Sequence, residues 1–324
     1  SLKWVGNMFP SGNSNIILPT GESFSVYTQV YKQGVTESYG QGEDIVCTLY
    51  WGEVKRFGGE WETVNTTPMS YIGDANNNDE YRAIISPETG LYEYTTSCAE
   101  ETTATVRWQS GGNGRLTFSP VPDAPERRQA LWLDKQTIAW NQNHDAVTYE
   151  LHYEPSGNLR VPVRSGDGIK LKVGDTLSWD SYPKFPNVGN YQSLQVPSAI
   201  KPLISAIVKS ESAIAAYDES GKLINATGLQ LQGVLDDIYS CTGELGVIYN
   251  QGTPTLKVWA PTAKSVTLHR FEDANPSTPS TTHEMNFDPQ SGVWTVVGDR
   301  SWDQQYYLYE VEVYVPFTGQ VEKN

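Results

Sequence analysis

Cysteine is scarce in this sequence, with Cys47, Cys98 and Cys241 the only three in 324 residues. An odd count excludes a complete disulfide framework, and no Cys-x-x-Cys pair is there to hold zinc. Cys47 and Cys98 fall in the same stretch, where a bridge and two buried thiols are both open readings; Cys241 is expected to be free. Histidine is almost as rare, and His144, His152, His269 and His283 show no metal-ligand spacing; each is expected to be an ordinary surface or strand residue. Basic side chains number 23 against 38 acidic ones, a net charge of −15. That is too little positive charge to neutralise a phosphate backbone or to seek an anionic membrane surface, so neither nucleic acid nor membrane is an expected partner. No apolar run approaches the roughly 20 residues that cross a bilayer, and the first residues lack the pattern of a signal peptide. No Gly-x-Ser-x-Gly elbow and no Walker loop is present.

What is abundant is turn-forming and aromatic: Gly 28, Pro 19, Tyr 19 and Trp 10, with only 19% charged residues. Aromatic and β-branched residues suit a pleated, half-buried surface, while Gly and Pro supply the turns. The length predicts two or three domains, each large enough for its own core. The fold class expected is all-β: three consecutive β-sandwich (immunoglobulin-like) modules, with no catalytic barrel in this chain.

The first module is expected over 1–122. In it Phe24, Val26 and Thr28 alternate with Ser25 and Gln29, the period of a strand with one buried face. Further strands are expected near 45–51, 81–85, 91–96, 104–108 and 115–118. Pro120, Pro122 and Pro125 fix their own φ and bias the residues before them, so 120–125 reads as a stiff, extended linker. The second module is expected over 123–232, with one helical turn near 201–205, and the third over 233–324.

Ala130 to Trp140 (ALWLDKQTIAW), Tyr182 to Pro186 (YPKFP) and Gly228 to Tyr239 (GLQLQGVLDDIY) follow one another in the order seen in pullulanases and limit dextrinases. Leu256 to Ala263 (LKVWAPTA), Gly292-Val293-Trp294 and Tyr306 to Tyr314 (YYLYEVEVY) resemble the family 48 carbohydrate-binding module. The chain therefore resembles the N-terminal region of a pullulanase/limit-dextrinase-type glycoside hydrolase of family 13. The resemblance covers about residues 130–324 and implies a parent enzyme that hydrolyses α-1,6 branch points in starch, glycogen or pullulan. Its expected partners are α-glucan, maltooligosaccharides included, and the catalytic barrel of the same polypeptide. Extracellular or cell-surface placement is favoured over cytoplasm or plastid. A purely structural brace and an extracellular β-sandwich adhesion array are the rival readings; an adhesin would not show the ordered motifs.

Glycoside hydrolysis of the retaining kind needs two carboxyl groups; the resemblance implies that they sit at the ends of barrel strands, and a barrel takes about 250 residues of alternating strands and helices. That alternation is missing, and the module pattern ends at Asn324, where a barrel would begin. This chain alone is expected to be inactive. Asp236-Asp237 is the one tempting pair. In the resembled family it belongs to the connection into the family 48 module, and as neighbours on a strand the two carboxylates would point to opposite faces.

Glucose offers apolar C–H faces to flat rings and hydroxyls to neighbouring polar groups, which suits Trp and Tyr. Trp51, Trp61, Tyr71 and Trp108 of the first module lie beside polar or acidic residues and are the candidate carbohydrate-binding residues. Each has a core role as its alternative. In the third module Trp259 and Trp294 occupy motifs that the resemblance assigns to packing. Asp74, Asn76, Asn78 and Glu80 place oxygens at alternate positions, a spacing that fits calcium and fits equally an ordinary Asx-rich turn; it lacks the Gly and Glu of an EF-hand. No cofactor is otherwise expected.

Overall fold

A computed structural model describes residues 1–324 except 142–144, 181 and 276. His144 lies outside the described residues. Strands dominate, and the helical pieces are of one or two turns. The all-β expectation holds. The chain divides into two compact units.

Unit 1 is residues 1–122 together with 162–165 and 220–223. Its strands form one nine-stranded sheet among the described residues. The long strand Asn65–Ala75 joins its two halves: residues 65–69 pair with Val46–Val54 and residues 70–75 with Asn78–Ile85. Phe24–Tyr31 alternates strictly between buried and half-buried positions, as its sequence predicts. Val26, Leu49, Tyr81, Tyr94 and Phe118 fill the core between the halves. Cys47 and Cys98 face each other across adjacent strands and are bridged, with Cα atoms 4.0 Å apart. Two buried hydroxyls also cross this core: Thr96 Oγ1 donates to Thr28 Oγ1 at 2.9 Å, and Thr28 in turn donates to the Gly6 carbonyl. At the edge of the unit Arg164 donates to Glu53 (2.7 Å) and Glu62 (2.6 Å).

Unit 2 is the rest of the chain. Strands between Ala130 and Gln230 close edge to edge into a barrel, sealed by the parallel pairing of Ala130–Asp134 with Leu223–Gln230. Trp132, Trp140, Leu194 and Ile214 are fully buried inside this part of the unit. Two four-stranded sheets, holding strands from Gly246 to Lys323, enclose a second core around Leu256, Val266, Leu268 and Trp294. The helical turn expected near 201–205 is a 3₁₀ segment, Ser198–Leu203, running into Ile204–Ile207. The proline linker is not extended throughout: Ala124–Arg127 is a helical turn with Pro125 in its first positions, where a missing N–H costs nothing.

Asp236 and Asp237 sit on the helix Gln232–Ile238, which corrects the strand reading. Val234, Leu235 and Ile238 recur at helical spacing and pack toward the barrel core, so tertiary burial selects a helix. The two carboxylates have structural roles. Asp237 accepts from the Lys135 N–H at 2.8 Å, and Asp236 pairs with Lys184 at 3.5 Å.

Candidate functional site

The strand Val46–Val54 sorts its side chains by parity. Cys47, Leu49 and Trp51 turn to the core of unit 1, so Thr48, Tyr50 and Gly52 turn outward. Gly90–Ala99 pairs with it and turns Glu93, Thr95 and Ser97 to that same outer face, opposite Gly52, Tyr50 and Thr48 respectively. On the far side of Gly90–Ala99 the short strand Val106–Trp108 sets Trp108 opposite Ser97. Trp108, half exposed, packs its ring at a tilt of 48° against that of Tyr50, with centroids 4.6 Å apart. Only Ser97 and Thr95 lie on the strand beneath the pair, and small residues let two rings meet across an intervening strand.

A second ring lies further along the same face. A Cβ added at Gly52 would fall 2.7 Å from the Trp61 ring and 1.9 Å from the Thr63 carbonyl oxygen. Only glycine lets the segment 61–63 pass so close to the sheet. Trp61 Nε1 donates to Glu93 Oε2 at 3.2 Å, and Asn113 and the Gly58 N–H donate to the same carboxylate. Burial would raise the pKa of Glu93, but these bonds and the nearby Arg115 outweigh it and hold the carboxyl below its ordinary value. Trp61 is thus pinned by an ionised, buried acid. Beside the rings, Gln109 Nε2 donates to Thr95 Oγ1 at 3.0 Å. The face carries three aromatic rings interleaved with threonine, serine, asparagine and glutamine, a combination suited to a neutral polyhydroxylated ligand.

The four candidate aromatics separate on this geometry. Trp61 and Trp108 belong to the face. Trp51 packs against the core, with Tyr92 at 5.9 Å, and its Nε1 donates to Thr67 Oγ1 at 3.0 Å. Tyr71 packs edge-on against Tyr81, also toward the core, and its hydroxyl donates to Asp74 at 2.5 Å. Tyr50 was missed by sequence reasoning. Its alternation with Leu49 and Trp51 carries the signal, since the parity that buries Trp51 exposes Tyr50.

The oxygen-rich segment is a tight hairpin. Asp74 pairs with Asp79 and Ala75 with Asn78, and Asn76 takes the left-handed conformation, φ 60°, that asparagine tolerates. Asn78 and Glu80 both bond Gln29, at 3.3 and 3.0 Å. Asp74 instead accepts from Tyr71 and from the Gly40 N–H. The hairpin thus directs these oxygens to different partners rather than to one point. No group of three or more His, Cys, Asp or Glu among the described residues is placed to hold a metal ion.

Residues 127–237 match the pullulanase N2 domain, and residues 244–323 match carbohydrate-binding module 48, the isoamylase N-terminal domain. The chain is 34% identical over 199 residues to the chloroplastic pullulanase 1 of Arabidopsis thaliana, covering 60% of this chain and 20% of that protein. It is 30% identical over 204 residues to the pullulanase of Klebsiella pneumoniae, covering 60% and 18%. The chain therefore spans about a fifth of the length of these relatives. The apo Klebsiella pneumoniae pullulanase structure superposes with a TM-score of 0.54 at 26% identity, over 61% of this chain and 22% of that one. A Klebsiella pneumoniae pullulanase complexed with maltotriose superposes over 89% of this chain and 29% of its own, with a TM-score of 0.56 at 20% identity, a likeness of fold alone. From residue 127 onward the chain holds a pullulanase N2 domain followed by a family 48 carbohydrate-binding module, the stretch over which it is similar to the pullulanases.

Proposed function

We propose that this chain binds and positions α-glucan for a debranching enzyme, an α-1,6-glucosidase whose hydrolytic barrel belongs to the same polypeptide. The observation that carries this reading is the outward-facing pair of Tyr50 and Trp108 rings, in tilted contact, with Trp61 pinned further along the same face. Half of the Trp108 surface is open to water, while both tryptophan rings are fixed before any ligand arrives. Binding then costs little ordering of side chains. The Tyr50 and Trp108 rings would take the apolar faces of glucose units, with the side chains of Thr95, Gln109 and Asn113 beside them for hydroxyls. The net charge of −15 is no obstacle to a neutral polymer.

Titration of the whole 324-residue chain with maltoheptaose by calorimetry tests the reading. Saturable binding that weakens when Trp108 becomes alanine supports it. Absence of heat with maltoheptaose and of retention on insoluble starch rejects it in favour of a brace that touches no sugar.

A further inference from the structure

Trp61 reaches the aromatic face on a segment outside the regular strands, which bridges the sheet at Val54. Two further contacts register that segment. The Glu62 N–H donates to the Glu53 carbonyl at 2.7 Å, and the Glu53 N–H donates to Thr63 Oγ1 at 3.1 Å. Glu93 holds the Trp61 indole itself, at 3.2 Å. The side chain next to Trp61, that of Glu62, is held by a separate group.

That group comes from far along the chain. Residues 162–165 and 220–223 belong to unit 1 and form a two-stranded clip. Residues 164 and 222 pair, and the Ser165 and Leu223 N–H groups donate to the carbonyls of Gly221 and Val163, each at 2.9 Å. Val163 and Leu223 are buried, which anchors the clip and fixes where Arg164 emerges. Its Nη2 donates to Glu53 Oε1 at 2.7 Å and to Glu62 Oε2 at 2.6 Å, so one nitrogen gathers both carboxylates. Lys222 adds its ammonium 3.2 Å from the same Glu53 oxygen. Lys55, the other cation on Glu62, is 76% exposed, whereas the side chains of Arg164, Glu53 and Glu62 are 23, 15 and 32% exposed. Water and salt therefore screen the Arg164 contacts less than those of an open surface pair.

We infer that Arg164 is a positioning residue of the aromatic face, which sets the place of Trp61 by gathering Glu53 and Glu62 on one guanidinium nitrogen. The inference rests on the reading that this face binds ligand, and it adds to the face a residue from outside 1–122. Trp61 is held from two directions, its indole by Glu93 and its neighbour Glu62 by Arg164. Without the guanidinium, two carboxylates lie side by side and repel. Glu53 belongs to the regular strand Val46–Val54, so Glu62 is the one that gives way, and Trp61 moves with it. Gly52 beneath the ring has no side chain to stop that movement. Lysine at 164 would keep the charge but not the fork that serves two carboxylates at once.

The test uses the whole chain, titrated with maltoheptaose by calorimetry in a cycle of two changes. Trp61→Ala should weaken binding about tenfold, the loss expected when an aromatic anchor is truncated. Arg164→Gln should weaken it by a similar factor in the wild-type chain and not at all in the Trp61→Ala chain, because a residue that acts only through another couples fully to it. Glu62→Gln breaks the same contact from its other end and should match Arg164→Gln, which decides the matter if either variant fails to fold. Arg164→Lys should recover part of the loss. Wild-type affinity in Arg164→Gln, with binding still abolished by Trp108→Ala, overturns this inference while the proposed function stands. An equal loss with and without Trp61 also overturns it. Exchange of the Trp61 indole N–H with solvent, followed by NMR and assigned through Trp61→Phe, needs no ligand. Loss of its protection in Arg164→Gln, with the amides of Val46–Val54 still protected, upholds the positioning role even if maltoheptaose does not bind; unchanged protection overturns it.

Discussion

The Tyr50 and Trp108 rings meet at a tilt, with centroids 4.6 Å apart, although their strands do not pair; each instead flanks the strand Gly90–Ala99. Trp51, the next residue after Tyr50, faces the other way into the core. The neighbouring aromatics should therefore respond oppositely to truncation. Trp108→Ala should remove glucan binding by the first unit and leave the melting temperature nearly unchanged. Trp51→Ala should cost about 3 kcal/mol of stability through the cavity it leaves. Thermal melts run beside maltoheptaose titrations separate the two; a Trp108 variant that unfolds first would make that ring a core residue.

How far the sequence reveals this site follows from the range of the interactions. Alternation is local, so Phe24–Tyr31 is readable from its own residues. The same parity, applied to 46–54, sorts Trp51 with Cys47 and Leu49. It does not say that Trp108 will arrive over Ser97, because strand pairing across distant segments depends on the whole sheet. Closure of 130–230 into a barrel is hidden for the same reason, resting on parallel pairing of Ala130 with Leu229. The helix Gln232–Ile238 was legible in the spacing of Val234, Leu235 and Ile238, but a resemblance read as a connection concealed it.

Removal of divalent ions should have no effect. Asp74 is engaged by Tyr71 and Gly40, and Asn78 and Glu80 by Gln29, so the hairpin sends these side chains to separate partners. Melting curves with and without a chelator should coincide, and a drop of several degrees restored by calcium would contradict the geometry.

The Cys47–Cys98 bridge closes a loop with a sequence separation of 51. The chain-entropy relation gives such a loop about 4 kcal/mol of stabilisation. Thiol titration in denaturant without reductant should find one thiol, that of Cys241. Reductant should lower the denaturant midpoint of unit 1. Three thiols in the unreduced protein would exclude the bridge.

His152 supplies a pH dependence. It is buried, 3.1 Å from the Tyr217 hydroxyl and 3.4 Å from Glu150. Burial lowers its pKa, although Glu150 and Asp167 pull the other way. A depressed folded value means that the unfolded chain takes up the proton first. The stabilisation is complete above the unfolded value of about 6.5 and is lost as pH falls through the folded one. His283 is lowered mainly by burial too and acts in the same window. The melting temperature should fall between pH 7.5 and pH 5.5, and His152→Gln with His283→Gln should flatten that slope. An unchanged slope would assign it to other groups.

Asp79 is fully buried beside Tyr81 in unit 1, and its charge is poorly compensated. Oδ2 accepts from the Gly42 N–H at 2.7 Å, while Oδ1 has no partner. Burial raises its pKa, the single backbone bond opposes this, and the charge of Asp74 adds to the rise. A carboxyl whose folded value is raised destabilises the fold once pH exceeds the unfolded value of about 3.9, increasingly so until the folded value is passed. Asp79→Asn keeps the shape and can still accept from Gly42, but it removes the buried charge. It should therefore stabilise the chain at pH 7 by about 1 kcal/mol, at the low end of what an unsatisfied buried group costs. The gain should vanish near pH 3, where the wild-type side chain is itself protonated. Denaturant titrations of both proteins at the two pH values measure it. A variant less stable at pH 7 would mean that the ionised carboxylate of Asp79 has a partner that its surroundings do not reveal.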